Sequence, residues 1–214
     1  MKNINEYPIH FNEEMALAVH NGNKIETRRP LKKQLPPCNH TGDLKVLPTE
    51  LGINDEGGVY CKVCGNGIVS GGGKSGVSYL VKLPYRVGQT LWVREAYAIA
   101  PNALNINNAE QAAIYRAGFG QPKPDKWKPS IHMPRWAARN LLLVTEICFE
   151  RINAISEEDA IAEGFDNSQT EAAKAVGWYE KARKAFLRTW GSIYGDASIK
   201  ENHWVAVIKF KRIS

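Results

Sequence analysis

Strand-like and helix-like segments follow one another in this chain without a βαβ rhythm, and that order constrains the fold more than any other feature. A parallel α/β sheet needs a helical crossover between successive strands, so its sequence alternates regularly. Here the patterns predict five or six strands and three helices, hence an α+β fold built on a mixed sheet or small barrel. Residues 4–11 read as an opening extended segment around Pro8. Asn12 is placed to cap a helix with Glu13 and Glu14 in its first turn, where the dipole favours them, and Gly22 is its expected stop. Residues 79–83 and 90–97 read as strands joined through Gly88-Gln89. In the second, Leu91, Val93 and Glu95 share one face while Trp92 and Arg94 share the other. Residues 113–117, with Tyr115 and Arg116, form a further short strand, and residues 140–152 a long one carrying Cys148 as a core thiol. Ser156-Glu-Glu-Asp159 opens a helix as a capping box, and Gly164 closes it. Ala172, Val176, Tyr179, Arg183, Phe186 and Trp190 share a helical period and predict one long helix packed on the sheet. Residues 203–213 close the chain as a strand. Trp204, Ala206, Ile208 and Phe210 face one way, and Lys209 and Lys211 the other, blunting an exposed edge or facing RNA.

The 214 residues are expected to form one domain, residues 1–214, with insertions at 38–76 and 100–127. An apolar fraction of 43% argues against general disorder. The net charge of +6 and pI of about 9.1 suit an anionic partner, nucleic acid ahead of membrane. With no apolar run of 18 residues and no charged-then-apolar leader, the chain is expected to be soluble and cytoplasmic.

The first insertion carries Cys61-Lys-Val-Cys64-Gly65, the C-x-x-C-G form of a zinc knuckle, and Cys38-Asn-His40 can supply the other two ligands. Cys38, His40, Cys61 and Cys64 are therefore the expected ligands of one structural zinc. Four protein ligands leave no open position for chemistry. Unrelated thiols or a redox pair are the alternatives, the latter lacking the strand-to-helix setting that lowers a thiol pKa. Ser70-Gly-Gly-Gly-Lys74-Ser75 resembles a phosphate-binding loop but has Ile68 where that motif requires glycine, so it reads as a linker.

Chemistry concentrates elsewhere. Gly22 to Pro30 holds Lys24, Thr27, Arg28 and Arg29: an amine, a hydroxyl and two guanidinium forks. Such a set can grip a phosphate or a polar base, or activate the hydroxyl; it can equally be a solvated basic turn. Glu163 falls in the last turn of its helix, where the dipole disfavours a carboxylate, which points to a role beyond helix stability. Residues 128–136, with His132, Arg135 and Trp136 between prolines, read as a stiff functional loop or as a buried tryptophan with a packed histidine.

Taken in order, Gly22-x-Lys24-x-x-Thr27-x-Arg29, Gly88-x-x-Leu91-Trp-Val-Arg94-Glu95, Ser156-Glu-Glu-Asp-Ala-x-x-Glu163-Gly164 and the closing strand resemble the ASCH family. Residues 128–136 and 91–95 look like its phage and prophage subgroup; the Cys/His insertion departs from the minimal family pattern. The resemblance implies a small PUA-like mixed β-barrel flanked by helices, with a cleft for RNA or a nucleoside. It also implies an amidohydrolase acting on an N4-acylated cytosine nucleoside or related modified base, needing no cofactor for catalysis. Thr27 would be the nucleophile, Lys24 would accept its proton, and Glu163 would orient or return it. Arg28, Arg29, Trp92, Arg94, Glu95, Tyr115, His132 and Arg135 would hold the substrate, and a phage-encoded protein would act in the cytoplasm of a bacterial host. The alternative is a binding module for RNA or modified nucleic acid, in some settings a ribonuclease, using the same cleft for grip.

Overall fold

The computed structural model of the chain describes residues 6–31, 34, 38–39, 45–46, 51–53, 59–61, 83–99, 113–118, 124, 126–166, 168 and 170–214; of 38–39, 45–46, 51–53, 59–61 and 172 it describes the backbone alone. The order is β1 (Glu6–His10), α1 (Glu13–His20) and β2 (Glu26–Pro30), then the short β3 (Cys38–Asn39), β4 (Lys45–Val46), β5 (Leu51–Ile53) and β6 (Val59–Cys61). There follow β7 (Thr90–Arg94), β8 (Tyr97–Ile99), β9 (Ala113–Tyr115), β10 (Leu141–Arg151), α2 (Glu157–Ala162), α3 (Glu171–Val176), α4 (Ala182–Tyr194), α5 (Asp196–Lys200) and β11 (Trp204–Arg212). The fold is mixed α+β.

Five strands form the main sheet in the order β1-β7-β10-β11-β2. β1 runs parallel to β7, and the other neighbours are antiparallel. The ends of the sheet are therefore β1 and β2, the strands that flank α1. On one face Ile9, Leu91, Val93, Leu142, Val144, Ile208 and Phe210 pack with Phe11 and with Ala16 and Val19 of α1. On the other, Val205 packs with Ile155, Ala160 of α2, and Ala182, Phe186 and Trp190 of α4. Both faces of β11 are thus buried, because its alternation is apolar on both sides until Lys209. Truncating Phe186 or Trp190 to alanine in such a cluster costs about 3–5 kcal/mol.

Several elements depart from the sequence reading. The closing strand is not an edge: β11 lies between β10 and β2, and Lys209 pairs with Glu146 across the sheet at 3.1 Å. The long helix expected from Ala172 to Trp190 is two. α3 ends at Gly177, whose φ of 68° is left-handed and breaks the helix, and α4 starts at Ala182. Val176 and Tyr179 consequently lie exposed, not in the core. The expected strand over 90–97 ends at Arg94, and Tyr97 begins a separate hairpin with β9. Residues 24–29 are not a solvated turn, since Glu26–Pro30 is a sheet strand with Glu26, Thr27 and Arg28 buried. Of the strand expected over 79–83, residues 79–82 lie outside the described residues, and Leu83 is in no strand. The loop at 128–136 contains two 3-10 turns, Ser130–His132 and Arg135–Ala137, with Trp136 exposed. Cys148 is half-buried, and burial pushes its thiol pKa up. Among the described residues no helix is long and apolar enough to cross a membrane.

Candidate active site

The end of α1 sets the first half of the site. Asn12 Oδ1 accepts the Met15 N–H at 2.9 Å and starts the helix. At its far end Gly22 takes φ 78°, and the amides of Asn23 and Lys24 both turn back to the Ala18 carbonyl. Ile25 then donates to the carbonyl of Ala162, which joins this turn to the C-terminus of α2. The second half comes from α2, whose start is a complete capping box between Ser156 and Asp159. It stops at Glu163-Gly164. Gly164 has φ 91°, and a Cβ there would meet Ala18 Cβ at 3.0 Å and Lys24 Cβ at 3.3 Å. Glycine thus lets the end of α2 close against α1 and Lys24.

This closure puts Lys24 on Glu163. The Lys24 amine donates to the Glu163 main-chain oxygen at 2.7 Å and to its Oε2 at 2.5 Å, with both side chains buried. The cation satisfies a terminal helix carbonyl and offsets the dipole that disfavours a carboxylate there. Burial pulls the Lys24 pKa below the ordinary lysine range, against the opposing pull of Glu163. The other carboxylate oxygen of Glu163 accepts the Arg28 backbone N–H at 2.5 Å. β2 is an edge strand, so this bond occupies one of its outward amides, while Pro30 has none to present.

Arg28 was expected to touch substrate; it lines the same cleft as Lys24 and Thr27, with its guanidinium committed to carboxylates. Its side chain is 1% exposed and surrounded by four carboxylates: Glu150 at 2.5 Å, Glu26 at 2.6 Å, Glu163 at 3.3 Å and Asp159 at 3.5 Å. Burial works against its charge, but hydrogen bonds to Glu150 and Glu26 outweigh that and hold its pKa above the ordinary arginine range. Arg28 ties β2, β10 and α2 together in the wall of the cleft. Glu26 responds in the opposite sense: burial pushes its pKa up, with Asp159 and Glu163 adding to the shift and Arg28 opposing it.

Lys24, Thr27, Arg28, Arg29 and Glu163 all line one cleft. Its other walls are largely aromatic. Phe11 lies under both Lys24 and Arg29, 5.3 Å and 5.5 Å from its ring centre. Phe186, Trp190 and Tyr194 form a ladder along α4, with ring centres 5.7 Å and 4.4 Å apart, and Phe165 meets Phe186 edge-on. Thr27 is buried in this wall. Among the described residues no hydrogen bond joins its hydroxyl to the Lys24 amine, whose bonds both go to Glu163.

The remaining expected substrate residues do not line this cleft. Glu95 is fully buried and held by both arms of Arg139 at 2.9 and 2.8 Å, and Arg139 stacks on Tyr115 at 4.2 Å. These residues clamp the sheet to residues 113–118 instead of facing a ligand. His132 is exposed, its main-chain oxygen accepting from the Tyr97 hydroxyl, and Arg135 pairs with Glu6. Trp92 and Arg94 lie stacked, 4.6 Å apart, on the sheet face that also carries His10. Sequence reasoning missed His10, Phe11, Phe165, Ile193 and Tyr194 as cleft residues. The spacing of Tyr194, four residues beyond Trp190, was an available signal. Of the expected zinc ligands, His40 and Cys64 lie outside the described residues, and Cys38 and Cys61 are described only as backbone of β3 and β6.

Comparisons with protein-family models, with curated proteins and with solved structures return no match to this chain.

Proposed function

We propose that the protein is an ASCH-type amidohydrolase that removes the acyl group from an N4-acylated cytosine nucleoside or related modified base. The observation that carries this reading is the convergence of Lys24, Thr27 and Glu163, which are separated by up to 139 residues, on one aromatic-walled cleft. Phe11 and the Phe186–Trp190–Tyr194 ladder both line the cleft and offer a planar base stacking surfaces that do not depend on its ring substituents. The mixed sheet with α1 between its two end strands is also compatible with the PUA-like barrel architecture that belongs to the same proposal.

In this reading Thr27 Oγ1 attacks the acyl carbonyl, and its proton passes to neutral Lys24, directly or through one water. Burial favours that neutral form. Collapse of the tetrahedral intermediate breaks the C–N bond, and Lys24 returns the proton to the departing N4 amine. Water then hydrolyses the acyl-threonine ester, releasing the carboxylic acid and restoring the hydroxyl. Glu163 holds the Lys24 amine in place through both of its contacts. Arg29, 5.5 Å from the Phe11 ring centre, contributes positive potential toward the developing oxyanion.

The test is acetate release from N4-acetylcytidine by wild type and two threonine variants. Thr27→Val keeps the shape and removes the hydroxyl, so it should melt like wild type and lose nearly all turnover. Thr27→Ser should retain a measurable rate and accumulate an acetylated protein by mass spectrometry. No turnover by wild type across a series of N4-acylated cytidines would leave the binding module as the better reading.

A further inference from the structure

We propose that His10, Arg29 and Arg94 form an anion subsite at the mouth of the cleft, which takes a phosphate ester carried by the ligand whose base the aromatic walls hold. This rests on the nucleobase reading above and deepens it: the preferred substrate carries its nucleoside as a phosphate ester, alone or within a strand, ahead of the free nucleoside.

The subsite follows from strand register. His10 pairs with Arg94 across the parallel β1–β7 ladder, so the two side chains stand on the same face of the sheet. Arg29 arrives from β2 at the other end of the sheet and donates through Nη2 to the His10 main-chain oxygen at 2.9 Å. His10 and Arg29 both line the cleft. Burial and then the charges of Arg94 and Arg29 lower the His10 pKa.

Among the described residues neither arginine has a carboxylate partner, and Arg94 Nε is buried with no hydrogen-bond partner at all. Nearby carboxylates are committed elsewhere: Glu6 to Arg135, Glu13 to Arg116, Glu95 to Arg139 and Glu163 to Lys24. Glu14 also lines the cleft, from α1. Two guanidinium forks left without carboxylates, one with a buried unpaired donor, match the non-bridging oxygens of a phosphate ester.

Calorimetric titration with non-reactive ligands tests this apart from the hydrolytic reading. Cytidine, cytidine 5′-monophosphate, inorganic phosphate and a short oligocytidine without terminal phosphates are the probes. Wild type should bind the monophosphate or the oligonucleotide about tenfold or more tightly than cytidine, with the gap closing as salt rises. Preference for the monophosphate identifies a free nucleotide, and preference for the oligonucleotide a strand. In Arg94→Gln that ratio should fall to about one, and Arg94→Lys should restore part of it. Equal binding of cytidine and both phosphate-bearing ligands by wild type overturns the proposal. So does an Arg94→Gln protein that melts like wild type and keeps the full ratio. Should no nucleoside bind and N4-acetylcytidine not be turned over, the nucleobase reading fails by itself. Binding of inorganic phosphate by wild type but not by Arg94→Gln then still upholds the anion subsite, and its absence overturns that as well.

Discussion

Lys24 grips Glu163 twice, once at its main-chain oxygen and once at its carboxylate, so a single amine both caps α2 and neutralises the charge beside the cap. The carboxylate passes the constraint on through its second oxygen, which takes the Arg28 amide of β2. Helix α2, the turn after α1 and the edge of the sheet are thereby locked by groups that also line the cleft. The lock and the proposed chemistry share atoms, so stability and activity have to be measured together in any variant here.

Arg28 is the strongest structural prediction. Its guanidinium is the main counter-charge for Glu26 and Glu150, and it shares Glu163 with Lys24. Removing one partner from a buried ionic cluster strands the others, at a cost of about 3–5 kcal/mol. Arg28→Met should therefore lower the unfolding free energy by that amount in urea titration. A loss under about 0.5 kcal/mol, combined with a raised KM, would return Arg28 to the role of substrate contact.

Glu26 should behave in the opposite way. Its folded pKa is raised above its unfolded value, with burial as the largest cause. A raised carboxyl pKa means the folded state holds the proton more tightly. Its favourable contribution is complete below the unfolded pKa, about 4.3, and is lost as pH climbs through the folded pKa. Glu26→Gln keeps the shape of the protonated form and cannot ionise. Its melting temperature relative to wild type should therefore rise as pH moves from about 4 to about 7. Calorimetric scans of both proteins across that range check the sign, and a difference that shrinks with pH would refute it.

Local signals were legible in the sequence because the groups that satisfy them are near in the chain. The Asn12 cap, the Ser156–Asp159 box and the stop at Gly164 each need only a turn of backbone. The mistakes have the complementary cause. Arg28 reads as a free basic residue until β10 and α2 bring Glu150, Asp159 and Glu163 around it, and nothing in residues 22–30 encodes that encounter. The apolar period over 172–190 runs on through Gly177, whose left-handed turn divides the segment into two helices. The position of β11 inside the sheet depends on β2 pairing outside it, a long-range choice that residues 203–213 alone do not reveal. Lys24 and Thr27 stand out by residue type and Glu163 by its place on the helix, and the resemblance joins them, whereas His10 and Tyr194 enter the cleft only through sheet register and helix phase.

The zinc prediction rests on Cys61-x-x-Cys64-Gly65 and Cys38-x-His40 within residues 38–76. Protein purified without added metal should contain about one equivalent of zinc, held by three thiolates and one imidazole. Because ligands must be deprotonated, chelation at mildly acid pH should release it and free the three thiols to a thiol reagent. Cys148 lies in β10 and should react no differently with or without metal. Less than about half an equivalent of zinc, with Cys38, Cys61 and Cys64 already reactive, would remove the metal from the account of this chain.

The pH dependence of turnover separates a catalytic Lys24 from a structural one. A base has to be neutral to accept the Thr27 proton, so kcat/KM for acetate release from N4-acetylcytidine should rise with pH and level off above the Lys24 pKa. Burial lowers that pKa, so the midpoint should lie below the ordinary lysine value of about 10.4. Glu163 opposes the shift through its charge and its hydrogen bond. Glu163→Gln keeps a carbonyl oxygen near the amine but removes the charge, so the rising limb should move to lower pH even as the plateau rate falls. A purely structural contact predicts a lower plateau with the limb in place. Rate profiles of the two proteins, each checked for an intact fold at every pH used, distinguish these outcomes, and a limb that moves to higher pH in Glu163→Gln would exclude Lys24 as the base.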